Sequence, residues 1–184
     1  MMNLRDWRDW CIYRHDVEVN QKYDTYLPYS MHLRYVVAQF HRFKHLLQDE
    51  WNDFKLDHVH TVAEMGCWGH DLLEDARISY NDVVEKVGRT VADVIWGCTE
   101  DAGRTREERH SDAYYQRCAA NKISTFCKLC DIIGNVTYSI LTNSDMYKKH
   151  LKEREKNKQW LYKEEFKEMF DHLDKLFAVC TSNG

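Results

Sequence analysis

The sequence is poor in residues that interrupt helices. It has one proline, Pro28, and seven glycines in 184 residues, and almost no segment in which apolar and polar residues alternate. Because proline and glycine disfavour helix and a strand shows a period of two, this scarcity favours helices over β-strands. The sequence therefore predicts an all-α fold, formed as a single domain over residues 1–184.

Long hydrophobic runs and a strong charge of one sign are missing too. No apolar run is long enough to cross a bilayer, and no N-terminal segment has the form of a signal peptide. The formal net charge is −4 at pH 7, whereas nucleic-acid-binding domains usually carry a basic excess. We therefore expect a cytoplasmic protein whose partner is a small molecule, with no nucleic acid and no membrane. The sequence leaves the oligomeric state open, a homo-oligomer included.

The seven cysteines follow no disulfide or zinc pattern. Their number is odd and their spacing is irregular, which is typical of reduced thiols in a cytoplasm. Cys127 and Cys130 have the spacing of half a zinc site, but no second cysteine pair and no pair of histidines completes four ligands. We expect these thiols to be structural.

Apolar residues recur every three or four positions along several segments, which predicts packed helices. The expected helices cover residues 31–47, 57–73, 80–87, 90–98, 114–141, 147–157 and 163–179. Ser79 and Asp82 have the form of a capping box at the start of the 80–87 helix, and Gly88 stands where a left-handed residue would end it. Residues 102–104 and the arginines after them, including Arg106, are expected to form a basic loop.

Residues 70–75 read H-D-L-L-E-D and crowd one histidine against three carboxylates. If residues 57–75 form one continuous helix, His70, Asp71, Glu74 and Asp75 fall within an arc of roughly 140° on one face. The carboxylates raise one another's pKa, and the C-terminal end of a helix disfavours anions further. A bound metal ion would remove this conflict.

Polar residues also lie on other helices that are otherwise apolar. Lys128, Asp131 and Asn135 recur on one face of the predicted 114–141 helix, where polar groups on an inward side need partners. His32 stands at the start of the predicted 31–47 helix, and its imidazole is a further candidate metal ligand. These residues and the 70–75 cluster come from three separate parts of the chain.

Together these residues resemble a known family. His32, the doublet His70-Asp71 and Asp131 reproduce the H…HD…D pattern of the HD metal-dependent phosphohydrolases. More narrowly, the sequence is similar to the hydrolase domain of RelA/SpoT-type alarmone enzymes, and above all to the small alarmone hydrolases. The motifs that carry this likeness are H-D-x-x-E-D at 70–75, I-S-Y-N-D-V-V-E-K-V-G-R-T-V-A-D-V-I-W-G-C-T at 78–99 and K-L-C-D-I-I-G-N at 128–135.

The resemblance covers residues 29–140 and implies both a fold and a mechanism. The implied fold is a compact helical HD-domain bundle with a metal site at its centre. The implied ligands of one Mn²⁺, or of another divalent cation, are His32, His70, Asp71 and Asp131. Glu74 and Asp75 are the implied catalytic residues, which position or deprotonate the attacking water. The implied reaction is hydrolysis of the 3′-pyrophosphate of (p)ppGpp, which gives GDP or GTP and pyrophosphate.

The substrate contacts are the part of the family pattern from which this sequence departs. The candidate substrate-binding residues are Asn135, Lys128, Lys22, Tyr23 and Arg106. The family usually carries an Arg-Lys pair shortly before the first metal histidine, and this region here reads K-Y-D-T-Y at 22–26. The gap between His32 and His70 is also longer than in the family, so that residues 48–55 resemble an insertion.

Two alternative functions remain open at the level of the sequence. One is an HD nucleotidase for another substrate, such as a dNTP, an adenine alarmone or a cyclic nucleotide, because the Arg-Lys pair is missing. The other is a non-catalytic protein that keeps the fold and captures a nucleotide as a sensor. A screen of nucleotide substrates with product identification would separate the three functions.

Overall fold

The structure, a computed structural model, describes residues 1–48 and 56–182. Most of these residues are helical, which confirms the all-α prediction. The α-helices are α1 (Leu4–Tyr13), α2 (Ser30–Phe43), α3 (Leu56–Gly69), α4 (Leu72–Asp75), α5 (Tyr80–Val87), α6 (Arg89–Cys98), α7 (Arg106–Arg109), α8 (Asp112–Ala120), α9 (Lys122–Thr142), α10 (Tyr147–Lys152), α11 (Arg154–Leu161) and α12 (Lys167–Ser182). No helix in the described ranges is long and apolar enough to span a membrane. Apart from residue 48, the insertion expected at 48–55 lies outside the described residues.

Short elements connect these helices. A π-helical turn covers Arg14–Glu18, and 3-10 turns cover Lys44–Leu46 and Glu164–Phe166. The strands β1 (Lys22–Tyr23) and β2 (Leu27–Pro28) pair antiparallel, with Tyr23 opposite Leu27. This small hairpin leads the chain from the π-helical turn into α2.

Helix α9 lies at the centre of the bundle. Its start is fixed by Asn121, whose side chain accepts hydrogen bonds from the backbone N–H groups of Ile123 and Ser124. Its end is fixed by Asn143, which adopts a left-handed conformation with φ 52°. Between these caps most side chains are buried, and the helix packs against α2, α3, α6, α8, α10 and α12. All seven cysteines are free and buried in the bundle, as expected for structural thiols.

The predicted helix over residues 57–73 ends early, and the supposed continuation of this helix to residue 75 does not hold. Helix α3 ends at Gly69, residues 70–71 form a turn, and α4 begins at Leu72. Glycine has a low helix propensity, and a Cβ at Gly69 would lie 2.7 Å from atoms of both Trp7 and Ile95. The helix therefore ends where two large side chains cover a glycine, and His70 and Asp71 do not follow α-helical spacing.

Other segments that apolar periodicity joined are divided as well, at Asn121 by a side-chain cap. The predicted 114–141 helix breaks at Asn121 into α8 and α9. The predicted 147–157 helix is two helices that meet at Glu153, and the predicted 163–179 helix begins with a 3-10 turn before α12. The predicted 31–47 helix ends at Phe43 and continues as a 3-10 turn. The expected basic loop contains the one-turn helix α7, which Thr105 caps by accepting from the N–H of Glu108.

The two short helices in the middle of the chain confirm the sequence prediction closely. Helix α5 covers the predicted residues, and Ser79 and Asp82 form the expected capping box. Gly88 has the expected positive φ of 91°, but its ψ of 167° is extended rather than left-handed helical. This conformation lets Gly88 end α5 and also act as the N-cap of α6, which turns the chain sharply between the two helices.

A close approach of α6 to α9 gives a test of the packing. A Cβ at Gly97 would lie 2.6 Å from the Cβ of Ser124, so Gly97→Ala should lower the free energy of unfolding by about 1–3 kcal/mol through overpacking. Gly134→Ala is the matched control, because its Cβ would meet its nearest atoms, in the backbone of Tyr35 and Val36, at 3.4 Å. Urea denaturation of the two variants measures the difference, and equal stabilities would contradict this packing.

Candidate active site

Three separate segments bring two histidines and two aspartates together. His32 lies in the first turn of α2, His70 and Asp71 form the turn between α3 and α4, and Asp131 lies in the middle of α9. All four side chains are buried. Isolated buried charges are costly, so these groups must compensate one another or bind something of opposite charge.

The polar atoms of the four side chains face one another at short distances. The two Nε2 atoms of His32 and His70 are 3.1 Å apart. Asp71 Oδ2 lies 3.3 Å from His32 Nε2 and 2.9 Å from His70 Nε2, and Asp131 Oδ1 lies 3.3 and 3.7 Å from the same atoms. The ligand atoms of His32, His70 and Asp131 all lie within 4.8 Å of one another. They are buried and could together bind a metal ion, with Asp71 beside them.

The hydrogen bond on the far side of His70 favours its use as a metal ligand. His70 Nδ1 lies 2.9 Å from the carbonyl oxygen of Cys67, which can only accept, so Nδ1 carries the proton. When the ring is neutral, its lone pair lies on Nε2, the nitrogen that faces the other side chains of the cluster. A histidine whose second nitrogen is held by a carbonyl is the usual arrangement around protein-bound metals. The mixed imidazole and carboxylate donor set suits a divalent first-row ion.

The electrostatics of the cluster show why it needs positive charge. Burial lowers the pKa of His70, but the charge of Asp71 and the hydrogen bond to Asp131 outweigh burial and raise it well above its usual value. Burial raises the pKa of Asp131, but Lys128 and the two imidazoles hold it well below its usual value. The pKa of Asp71 is lowered in the same way by the two imidazoles, against its burial. Both aspartates therefore stay ionised because positive groups lie beside them. A bound divalent ion would supply this positive charge.

A surrounding layer of polar side chains orients the cluster. The hydroxyl of Tyr29 donates to Asp71 Oδ2, and the amide of Asn135 donates to Asp131 Oδ1 at 2.7 Å. Lys128 Nζ lies 3.0 Å from Asp131 Oδ2. The hydroxyl of Tyr23 donates to Asn135 Oδ1 at 3.0 Å. Two of the predicted substrate contacts, Asn135 and Lys128, are thus bonded directly to a candidate metal ligand.

Glu74 and Asp75 lie on α4, one turn from the cluster, and both line the cleft above it. Glu74 Oε1 accepts a hydrogen bond from the backbone N–H of Glu100 at 2.7 Å. Both residues are exposed to solvent, although they line the cleft among other protein groups. Burial and the charge of Asp71 accordingly raise the pKa of Glu74 to about 8, and they raise the pKa of Asp75 as well.

The cleft encloses about 240 Å³ and combines the candidate metal site with a basic wall. The residues that form this wall are Arg106, Arg109, Lys128 and Lys149. Arg106 is bound by Glu153, with Nε–Oε1 and Nη2–Oε2 distances of 2.5 and 3.0 Å. Lys22 is exposed on β1 and is not among the described residues that line the cleft.

Lys149 and His150 are among the cleft residues that the sequence did not predict. Both lie on α10 in a run of charged residues that has the appearance of a solvated helix face. His150 is nevertheless buried, and neither ring nitrogen has a hydrogen-bond partner among the described residues. Burial and the nearby Lys149 lower its pKa well below the usual value. The one sequence signal is a histidine inside a lysine-rich run, which is too weak to have identified it.

Comparison with known proteins agrees with this geometry at the level of the fold. No family model matches the sequence, and no curated protein matches it. A metazoan ortholog of SpoT that hydrolyses ppGpp and plays a role in starvation responses has a similar structure, with a TM-score of 0.71 and 18% sequence identity. The similarity covers 95% of this chain and 93% of that chain. The chain therefore has the same overall fold as a protein that hydrolyses ppGpp.

Proposed function

We propose that the protein is a metal-dependent phosphohydrolase that removes the 3′-pyrophosphate of (p)ppGpp and leaves GDP or GTP. The observation that carries this proposal is the convergence of two imidazoles and two carboxylates at the base of one cleft, with Glu74 and Asp75 on its wall. The fold shared with a ppGpp-hydrolysing protein supports the choice of substrate class. The proposed partner is thus a small-molecule nucleotide, met in the cytoplasm.

The proposed cofactor is one Mn²⁺, with other divalent cations as alternatives. Its proposed ligands are His32, His70, Asp71 and Asp131. When bound, the ion supplies Lewis-acid polarisation of a phosphoryl group. The chain contributes the orientation of the donors, because the carbonyl of Cys67 holds His70 and the hydroxyl of Tyr29 holds Asp71. Asn135 and Lys128 hold Asp131 in the same way.

Glu74 and Asp75 are the proposed groups that orient the attacking water and accept its proton. The water oxygen attacks the phosphorus attached to the ribose 3′ oxygen, and the bond between that phosphorus and the 3′ oxygen breaks. The 3′ oxygen leaves with the electron pair and takes up a proton, and pyrophosphate is released. The N–H of Glu100 fixes one oxygen of Glu74 for this role.

Cations on the cleft wall are the proposed contacts for phosphate oxygens. Lys128 and Arg106 face the cleft, and charge-assisted hydrogen bonds to phosphate are the strong ones. Tyr23 and Asn135 are the proposed contacts for the nucleoside beside the metal site. Lys22, next to Tyr23 on β1, is the proposed contact for a part of the nucleotide that lies outside the cleft.

One observation favours a second candidate, an HD nucleotidase with another substrate. The family's Arg-Lys pair is missing, and Lys22 is not among the described residues that line the cleft. Fewer residues therefore support the recognition of guanine than support the hydrolysis itself. A dNTP, an adenine alarmone or a cyclic nucleotide is the substrate class for this alternative.

Removal of one ligand tests the metal site. Asp131→Ala takes away a carboxylate that faces both imidazoles, and it should weaken Mn²⁺ binding by at least about 100-fold, because loss of a mere supporting partner already costs 10–100-fold. Asp75→Asn is the matched control, since Asp75 lies outside the ligand set and should leave Mn²⁺ affinity unchanged. Isothermal titration calorimetry measures both, and equal affinities in the two variants would contradict the assigned ligands.

Turnover of ppGpp tests the reaction. The Mn²⁺-loaded protein should release pyrophosphate from ppGpp, and Glu74→Gln should lower kcat by about 10²–10⁴-fold because it removes a general base but keeps the size of the side chain. Chromatographic identification of GDP and pyrophosphate measures this, with Mn²⁺ affinity of the variant as the control. Faster turnover of another nucleotide would favour the second candidate, and stoichiometric binding without consumption would favour a sensor.

A further inference from the structure

The π-helical turn after α1 buries a histidine next to the candidate active site. His15 is fully buried, and its ring stacks on Tyr29 with a centroid distance of 4.7 Å and an angle of 26°. Tyr29 is the residue that donates to Asp71. The turn therefore packs against the support of one candidate metal ligand, although His15 itself is not part of the ligand set.

Two hydrogen bonds connect His15 to Asp75. His15 Nδ1 lies 2.6 Å from Gln21 Oε1, and Gln21 Nε2 lies 2.8 Å from Asp75 Oδ2. A carboxylate only accepts, so the NH₂ group of Gln21 must face Asp75 and its carbonyl must face His15. His15 therefore donates from Nδ1. Burial lowers the pKa of His15, which keeps the ring neutral in this arrangement at pH 7.

The backbone around this chain of hydrogen bonds is itself held in place. Gln21 N–H donates to the carbonyl of His15 at 2.8 Å, and Asn20 between them takes a positive φ of 49°. Arg14 donates to the carbonyl of Ala76 at 3.1 Å, directly after Asp75. The N–H of Ser30, at the start of α2, donates to Asp16 at 2.9 Å. The turn is thus tied both to the end of α4 and to the helix that carries the first metal histidine.

We infer that His15 and Gln21 are positioning residues, which hold the carboxylate of Asp75 in the orientation that the hydrolytic step needs. This inference rests on the proposed function. Gln21 occupies Oδ2 of Asp75, and no hydrogen bond joins Oδ1 to any of the described residues, so Oδ1 is the oxygen left for the attacking water. His15 fixes the orientation of the Gln21 amide, because a flipped amide would set two donors against each other and an oxygen against the carboxylate.

Variants of Gln21 test the inference in the metal-loaded protein. Gln21→Met keeps the size of the side chain but removes both hydrogen bonds, and Gln21→Glu keeps the bond to His15 but places a negative charge against Asp75. Both should lower kcat on ppGpp by about 10–100-fold, with KM and Mn²⁺ affinity unchanged. Gln116→Met, on the exposed face of α8, is the matched control and should behave as the wild type.

Variants of His15 separate hydrogen bonding from packing. His15→Phe keeps a ring that can stack on Tyr29 but lacks the donor, whereas His15→Asn supplies an N–H near the position of Nδ1. We expect His15→Phe to lower kcat as much as Gln21→Met does, and we expect His15→Asn to keep most of the wild-type kcat. Wild-type kcat in Gln21→Met, a rise in KM instead of a fall in kcat, or equal loss in both His15 variants would each overturn the inference.

An NMR measurement keeps this test separate from the proposed function. The ¹⁵N shifts of His15 should show the Nδ1–H tautomer in the wild type, and Gln21→Met should change both these shifts and the titration of the Asp75 carboxyl. If the wild type turns over no nucleotide but Gln21→Met changes these signals, the hydrogen-bonded link from His15 through Gln21 to Asp75 is supported and only the proposed function fails. If Gln21→Met leaves both sets of signals unchanged, the inference fails whatever the activity.

Discussion

Charge compensation at the centre of the bundle is the constraint on which the rest of the structure depends. Asp71 and Asp131 are buried and lie against the same two imidazoles. An unpaired buried carboxylate is strongly destabilising, so each aspartate must meet positive charge or hydrogen-bond donors from other segments. Lys128 and Asn135 do this for Asp131, and Tyr29 does it for Asp71. The same demand makes the centre of the bundle a suitable place for a divalent cation.

Two kinds of structure bring these charged groups together, namely the long helix α9 and the turn between α3 and α4. Helix α9 is long and buried on most sides, so it can present Lys128, Asp131 and Asn135 in one row inside the bundle. The turn between α3 and α4 does the opposite, because it interrupts regular structure where His70 and Asp71 must converge. The regular helix α9 fixes the spacing of its three polar side chains. The turn lets His70 and Asp71 both face the cluster, although they are adjacent in the sequence and would point in different directions on a regular helix.

The cleft above the cluster is built by segments from both ends of the chain. The hairpin contributes Tyr23 to the lining of the cleft, and α10 contributes Lys149 and His150. Gln21, which precedes the hairpin, binds Asp75 on the cleft wall. Burial against these walls raises the pKa of Glu74 and Asp75. The chemistry proposed for the two carboxylates thus depends on residues more than 50 positions away in the sequence.

The sequence by itself determined the helical class and the capping box at Ser79, because periodicity and caps are local signals. It also determined the residue types of the candidate metal site, because the H…HD…D pattern can be recognised in the order of residues along the chain. It did not determine where Gly69 and Asn121 would end helices, since close packing and side-chain hydrogen bonds overrode the apolar period there. Only the tertiary structure decided that His150 is buried in the cleft and that Gln21 faces Asp75. Such contacts join residues far apart in the chain, and they exist only once packing has brought their helices together.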